Sequence, residues 1–186
     1  MAALDRPRLR PAVGADAGRI AALHADSWRR HYRGAYSDAF LDGEVDADRL
    51  AVWTQRLHAP DREAATTVAE DDGALAGFVH VLFDDDRAWG ALIENLHVIH
   101  SHKRRGVGTL LLAEAAGAVV DRGPGGLYLW VLHQNTAAQA FYDARGGQCR
   151  DSAFASPPGG DPARLNGAPL KLRYVWPEPS ILMRLP

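Results

Sequence analysis

Residues 100 to 109 read HSHKRRGVGT, a run in which His102, Lys103, Arg104 and Arg105 lead straight into Gly106 and Gly108. The apolar residues around and after the glycines, Val107, Leu110, Leu111, Ala115, Ala118 and Val119, are spaced for one face of a helix. First-turn amides of a helix lack intrahelical partners and carry partial positive charge, so a basic turn, two glycines and a helix start form an anion site. Gly106 and Gly108 put no Cβ between the backbone and a phosphate, and the three cations at 103 to 105 ring its rim. Only Lys103 and Lys171 are lysines among the 21 cationic residues, and neither follows a glycine, which excludes a Walker A loop. A dinucleotide fingerprint wants glycine where Leu111 stands, in a different strand context. A net charge of -2 and the absence of interleaved aromatics argue against a nucleic-acid partner. A phosphate on a small ligand remains.

Other reactive residue types are sparse. The histidines fit no HExxH-like spacing, so no metal is expected, and His24, His80 and His133 read as packed side chains. Cys149 is the only cysteine, which rules out an intrachain disulfide; it reads as a buried structural thiol in a reducing, cytoplasmic setting. The opening MAALDRPRLR does not read as a secretion signal, and no segment is apolar for the ~20 residues of a membrane span, so no membrane partner is expected. At 186 residues, 47% hydrophobic and 24% charged, the chain is expected to form one domain over 1–186, with a core over about 8–176 and a tail over 177–186.

The elements that must carry the glycine turn are legible. RLRPAV (8–13) reads as a strand, and Asp16 as the N-cap of a helix with Ile20, Leu23, His24, Ser27 and Trp28 on one face, ending before Gly34. Residues 37–58 read as further helix, with a turn signal at Pro60. Strands at 66–70, 74–83 and 91–100, joined by DDG and DDDRAWG, form an antiparallel meander. The Gly106 helix closes at GPGG (123–126), LYLWVLH (127–133) is a strand buried on both faces, and Asn135 caps a short helix that Gly146 ends. Residues 148–155 and 169–176 form a closing hairpin around a mobile Pro/Gly-rich loop. The order β, α, α, β, β, β, α, β, α, β, β predicts a mixed α/β protein of the α+β type, with helices on both faces of a sheet.

On these residues the chain resembles the GNAT superfamily of acyl-CoA-dependent N-acyltransferases. IENLHVIHSHKRRGVGTLLL is similar to its signature segment, a Gln/Arg-x-x-Gly-x-Gly/Ala loop between the fourth strand and third helix; Lys103 stands where Gln or Arg is usual, keeping a cation but losing the planar fork. LYLWVLHQNTAAQAFYDARGG resembles the later strand and helix, with Asn135, Phe141, Tyr142 and Gly146 at matching positions. LRPA and SWRRHYRGAY resemble one subgroup, so the likeness spans about 8–176.

The resemblance implies a largely antiparallel sheet of about seven strands, splayed between the fourth and fifth. Coenzyme A would lie in the gap, its pantetheine arm on Leu96, His97 and Val98, and its pyrophosphate at Lys103, Arg104, Arg105, Gly106, Val107, Gly108 and Thr109. Asn135, Ala138, Phe141 and Tyr142 would line the other wall. An amide near Val98 would serve the oxyanion, and Tyr142 would serve the leaving thiolate. Leu92 occupies the place of a common Glu base; Glu94, two residues on and on the same face by alternation, is the leading base, with a water relay as one option. His97 has a suitable pKa but sits on the other face unless a bulge intervenes. The first two helices and the closing hairpin would bind the acceptor, with Trp28, Tyr32, Tyr36, Trp53 and Trp130 as candidate walls and Asp84 to Asp86 to attract an ammonium.

The function implied is acetyl transfer from acetyl-CoA, the cosubstrate, to a primary amine of a small molecule or peptide in a ternary complex. A degenerate acyl-CoA-binding sensor is the alternative, kept open by Lys103 and the missing Glu at 92. The hairpin and tail are a candidate homodimer contact.

Overall fold

A computed structural model describes residues 7–59 and 61–184. The opening residues considered for a secretion signal and the Pro60 turn signal lie, wholly or in part, outside them. Seven strands form one sheet in the order β1-β2-β3-β4-β5-β7-β6. They are β1 (Arg8–Pro11), β2 (Ala64–Asp71), β3 (Ala74–Asp86), β4 (Gly90–Val98), β5 (Leu127–Leu132), β6 (Gln148–Phe154) and β7 (Leu170–Trp176). Four α-helices accompany them: α1 (Ala17–His31), α2 (Val45–His58), α3 (Val107–Val120) and α4 (Thr136–Asp143). Every strand pair is antiparallel except β4 with β5, and the element order is the one read from the sequence.

Helices cover both faces. Leu111, Leu112, Ala115 and Val119 of α3 pack with Val79, Ile93, Leu129 and Trp176 from the sheet, and Leu182 of the C-terminal turn closes that core. On the other face Ile20 and Leu23 of α1 and Trp53 of α2 meet Val68 and Phe78, while Trp28, Phe40 and Leu41 form a neighbouring cluster with Leu132. The predicted helix over 37–58 is in two parts, a π-type turn at Phe40–Glu44 followed by α2.

Asp16 precedes α1 but does not cap it with its side chain. The carboxylate instead accepts from the Val13 amide and pairs with Arg10 at 2.8 Å and Arg19 at 2.5 Å, and Glu70 of β2 joins both arginines. Two guanidiniums hold the Asp16 carboxyl well below the usual carboxylate range, because its ionised form takes all these bonds. The loop after β6 is not loose: Ser37 donates to the Arg164 carbonyl, Asn166 donates to that of Ala35, and Arg164 pairs with Asp48 at 2.6 Å and lies 4.6 Å from the Phe40 ring centre. Cys149 is exposed, not buried, because it lies on β6, the edge strand paired with β7 alone.

Two features of β4 shape the space beside it. Its parallel pairing with β5 runs from Ala91–Leu127 to Ile93–Leu129 and stops. Against β3, His80 pairs with Asn95 and Val81 with Ile93, leaving Glu94 as the extra residue of a bulge.

Candidate active site

Beyond Ile93 and Leu129 the two strands part, and a cavity of about 680 Å³ occupies the gap. Residues 93–98 of β4 form one wall, and Leu129 to Val131 with α4 form the other. A second cavity of about 460 Å³ lies between α1, α2 and the start of the 155–169 loop. The two share Tyr32, Ile93, Glu94, Asn95, Trp130 and Val131, so they meet at the break between the strands.

At the far end of the first cavity the glycine turn takes the shape its residues demand. Arg104 has φ 61° and Gly106 φ 85°, both in the left-handed region, which turns the chain sharply into α3. Leu110 donates to the Gly106 carbonyl, and no side chain caps the helix start, leaving the amides of Val107, Gly108 and Thr109 without helical acceptors. Gly108 sits against the Phe141 ring, where a Cβ would lie 3.3 Å from Cζ.

The four basic side chains of this turn divide. Lys103 and Arg104 line the cavity, and Lys103 Nζ lies 2.8 Å from His31 Nε2 of α1. Burial, with Arg30 nearby, lowers the Lys103 pKa. His102 and Arg105 turn away to Asp71 at the end of β2, at 3.1 and 3.4 Å. The side chain of Val107 also points elsewhere, into the α3 core, so that residue can offer only its amide to the turn. Leu96, His97, Val98, Thr109, Asn135, Ala138, Phe141 and Tyr142, which the resemblance assigned to coenzyme A, all line this one cavity. Asn135 has a structural duty as well, accepting from the Ala138 amide to cap α4.

Arg145 is a charged lining residue that sequence reasoning missed. It donates to Thr109 Oγ1 at 2.9 and 2.6 Å and stacks on Phe141 at 3.9 Å, and burial lowers its pKa. Its signal was a cation four residues after Phe141 at a helix end, which places both on one face.

The Tyr142 ring packs between Tyr174 and Trp176 and is 8% exposed, opening onto the cavity. Burial first, and the nearby Tyr32 second, raise its pKa far above the ordinary phenol value, so it stays protonated. Glu94 lies where the cavities meet and pairs with Arg56 at 2.6 Å, 4.0 Å from His80 Nε2. The bulge puts Glu94 and His97 on one side of the sheet: Glu94 reaches α2, while His97 Nδ1 lies 2.8 Å from Ser27 Oγ of α1. Strand alternation alone had set them on opposite faces. Burial pushes the His97 imidazole down to about 3, with His31 and Lys103 adding to the effect, so it is neutral at pH 7 and a poor proton acceptor.

In the second cavity the structure brings together Trp28, Tyr32, Tyr36 and Trp130. Trp53 is not among them. It is fully buried, its indole donating to His24 Nδ1 at 3.0 Å, because its position on α2 faces the sheet. The Asp84–Asp86 turn is also elsewhere: Asp85 accepts from the Tyr128 hydroxyl, and Asp86 accepts from the Ala88 amide.

Residues 25–146 match the model of the acetyltransferase (GNAT) family. A streptothricin acetyltransferase of Streptomyces lavendulae is 36% identical over 89 residues, which is 46% of each protein. A solved GCN5-related N-acetyltransferase from Rhodopseudomonas palustris superposes with a TM-score of 0.70 at 23% identity, covering 94% of this chain and 98% of its own. The PaiA N-acetyltransferase of Thermoplasma acidophilum, solved with coenzyme A, gives a TM-score of 0.68 at 18% identity, over 92% of this chain and 100% of its own. With the family match covering well over half its length, the chain belongs to the GNAT acetyltransferase family.

Proposed function

We propose that this protein transfers the acetyl group of acetyl-CoA to a primary amine of a small molecule or peptide, by direct attack within a ternary complex. The observation that carries the reading is the meeting of two cavities at the β4–β5 break. A thioester reaching the break through the first cavity and an amine through the second would be held in contact, replacing a bimolecular encounter by a positioned one. The free amides opening α3, with Arg104 beside them, suit the pyrophosphate. The edge of β4 that β5 leaves free at Leu96 to Val98 suits the pantetheine arm, and an amide near Val98 suits the oxygen that gains charge.

The amine lone pair attacks the carbonyl carbon, the C–S bond breaks, and the sulfur leaves with that electron pair. Tyr142 faces the sulfur in this arrangement. Because its phenol is held protonated so firmly, it stabilises the thiolate by donating a hydrogen bond, more than by surrendering the proton. The proton lost by the ammonium goes to Glu94, directly or through water, as His97 is too weak a base.

Purified protein should gain melting temperature from acetyl-CoA at physiological salt and should release thiol only when an amine is added. Stabilisation without acceptor-dependent thiol from any amine in a broad panel would sink the transfer reading. It would leave an acyl-CoA-binding module, which the tethering of Glu94 by Arg56 favours.

A further inference from the structure

The charges facing the second cavity are unequal. Lys171, Arg49 and Arg56 line it, and Glu94 is the one carboxylate among its described lining residues. Arg56 is matched by Glu94. Arg49 lies over Trp28, its Cζ 4.3 Å from the ring centre, and bonds Asp48, but that carboxylate is shared with Arg164. The Lys171 ammonium, on β7, sits 4.4 Å from the ring centre of Trp130 on β5; burial and the like charge of Arg173 act on it, and among the described residues no acid pairs with it. A half-buried ammonium without a counter-ion is costly, and an anion brought in by a ligand relieves that cost.

Resting on the acetyl-transfer reading, we propose that the acceptor is an amine that also carries a carboxylate, an amino-acid-like zwitterion, with its anionic end at Lys171 and Arg49 and its amine at the Glu94 break. The cleft has the matching polarity. The one acid among its described lining residues stands where the amine must reach the thioester, and the unpaired cation stands on β7, beyond β5 on the far side of the break, beside an aromatic floor of Trp28 and Trp130. A polycationic amine would meet three positive side chains there against one negative.

The test sets each L-amino acid against its own amide, with spermidine as the polycationic probe. One measurement is thiol release from acetyl-CoA; the other is the melting temperature of the complex with CoA, which needs no turnover. The wild-type protein should favour the best acid over its amide by about 10-fold or more in kcat/KM, the scale of one charge-assisted bond. Lys171→Gln should remove most of that preference through KM with kcat retained, and Lys171→Glu should reverse it. Amides or spermidine used as well as the acids, or a preference unmoved by Lys171→Gln, would overturn the proposal. Acids that stabilise the CoA complex without being acetylated would sink the transfer reading and leave the anion site standing. If no acid is turned over and none shifts the melting temperature, the anion site is wrong.

Discussion

The two cavities that meet at the strand break are built in different ways. The first is held largely by main chain: the opening amides of α3, the unpaired edge of β4 and the capped start of α4. The second is walled by side chains from α1, α2, β5, β7 and a loop that Arg164 ties down. A backbone site needs glycines and caps at fixed spacing, so it constrains sequence locally. A side-chain site can be assembled from any segments the fold brings near. That contrast predicts one conserved ligand chemistry on one side of the break and an adaptable one on the other.

Substitutions can break or sharpen it. Tyr142→Phe stands at the junction, and kcat should fall by about 100-fold, the scale of losing one hydrogen-bond donor to a developing negative charge. Affinity for acetyl-CoA, measured by calorimetry, should stay within about twofold. Gly106→Val should weaken acetyl-CoA about 10-fold, since a side chain in the left-handed region costs about 1–2 kcal/mol. A Cβ at Gly106 meets nothing within 4 Å, so that loss would be conformational and would mark the turn as a backbone device. An affinity unchanged in Gly106→Val would refute the main-chain account. Arg104→Glu should weaken acetyl-CoA several-fold, by roughly 1 kcal/mol, whereas Arg105→Glu should leave it nearly untouched because Arg105 faces Asp71. Equal losses from the two would mean that the turn binds by side-chain charge.

The smallest effect concerns pH. His97 at about 3 and His80 at about 4 stay neutral in the folded protein, while their unfolded counterparts take up a proton near 6.5. The unfolded state therefore binds more protons below about pH 6.5, and stability should decline from there towards pH 4 while changing little above it. Melting curves across pH 5 to 8 should show this slope. The fall should be shallower in His97→Gln, and the kcat/KM profile should have no inflection that His97→Gln removes.

The contrast also explains what was legible in the sequence. The order of strands and helices, the Gly106 turn and the Asn135 cap came from local patterns that fix local geometry. The bulge at Glu94 did not, since an extra residue in a strand shows only against its partner, here His80 and Val81 of β3. It moved Glu94 and His97 to one side of the sheet and changed which bases can compete. The four basic residues at 102–105 looked equivalent because only the folded chain reveals that Asp71 claims His102 and Arg105. Trp53 and Trp130 are both apolar by type, and whether each faces core or cleft depends on helix rotation and strand position. Cys149 looked buried because its residue type usually is, and nothing local marks an edge strand.

At the closed end of the wedge, the Ala91 amide donates to the Gly126 carbonyl at 3.0 Å, and a Cβ on Gly90 would lie 2.1 Å from that oxygen. β4 and β5 are pinned there and free at the other end, like the blades of tweezers joined at the heel. A displacement of a fraction of an ångström at the heel is magnified at the tips, where the thioester must fit. The shape of this site is therefore set in part by a contact far from any reacting atom, and a ligand spanning the tips would act as the rung the sheet lacks.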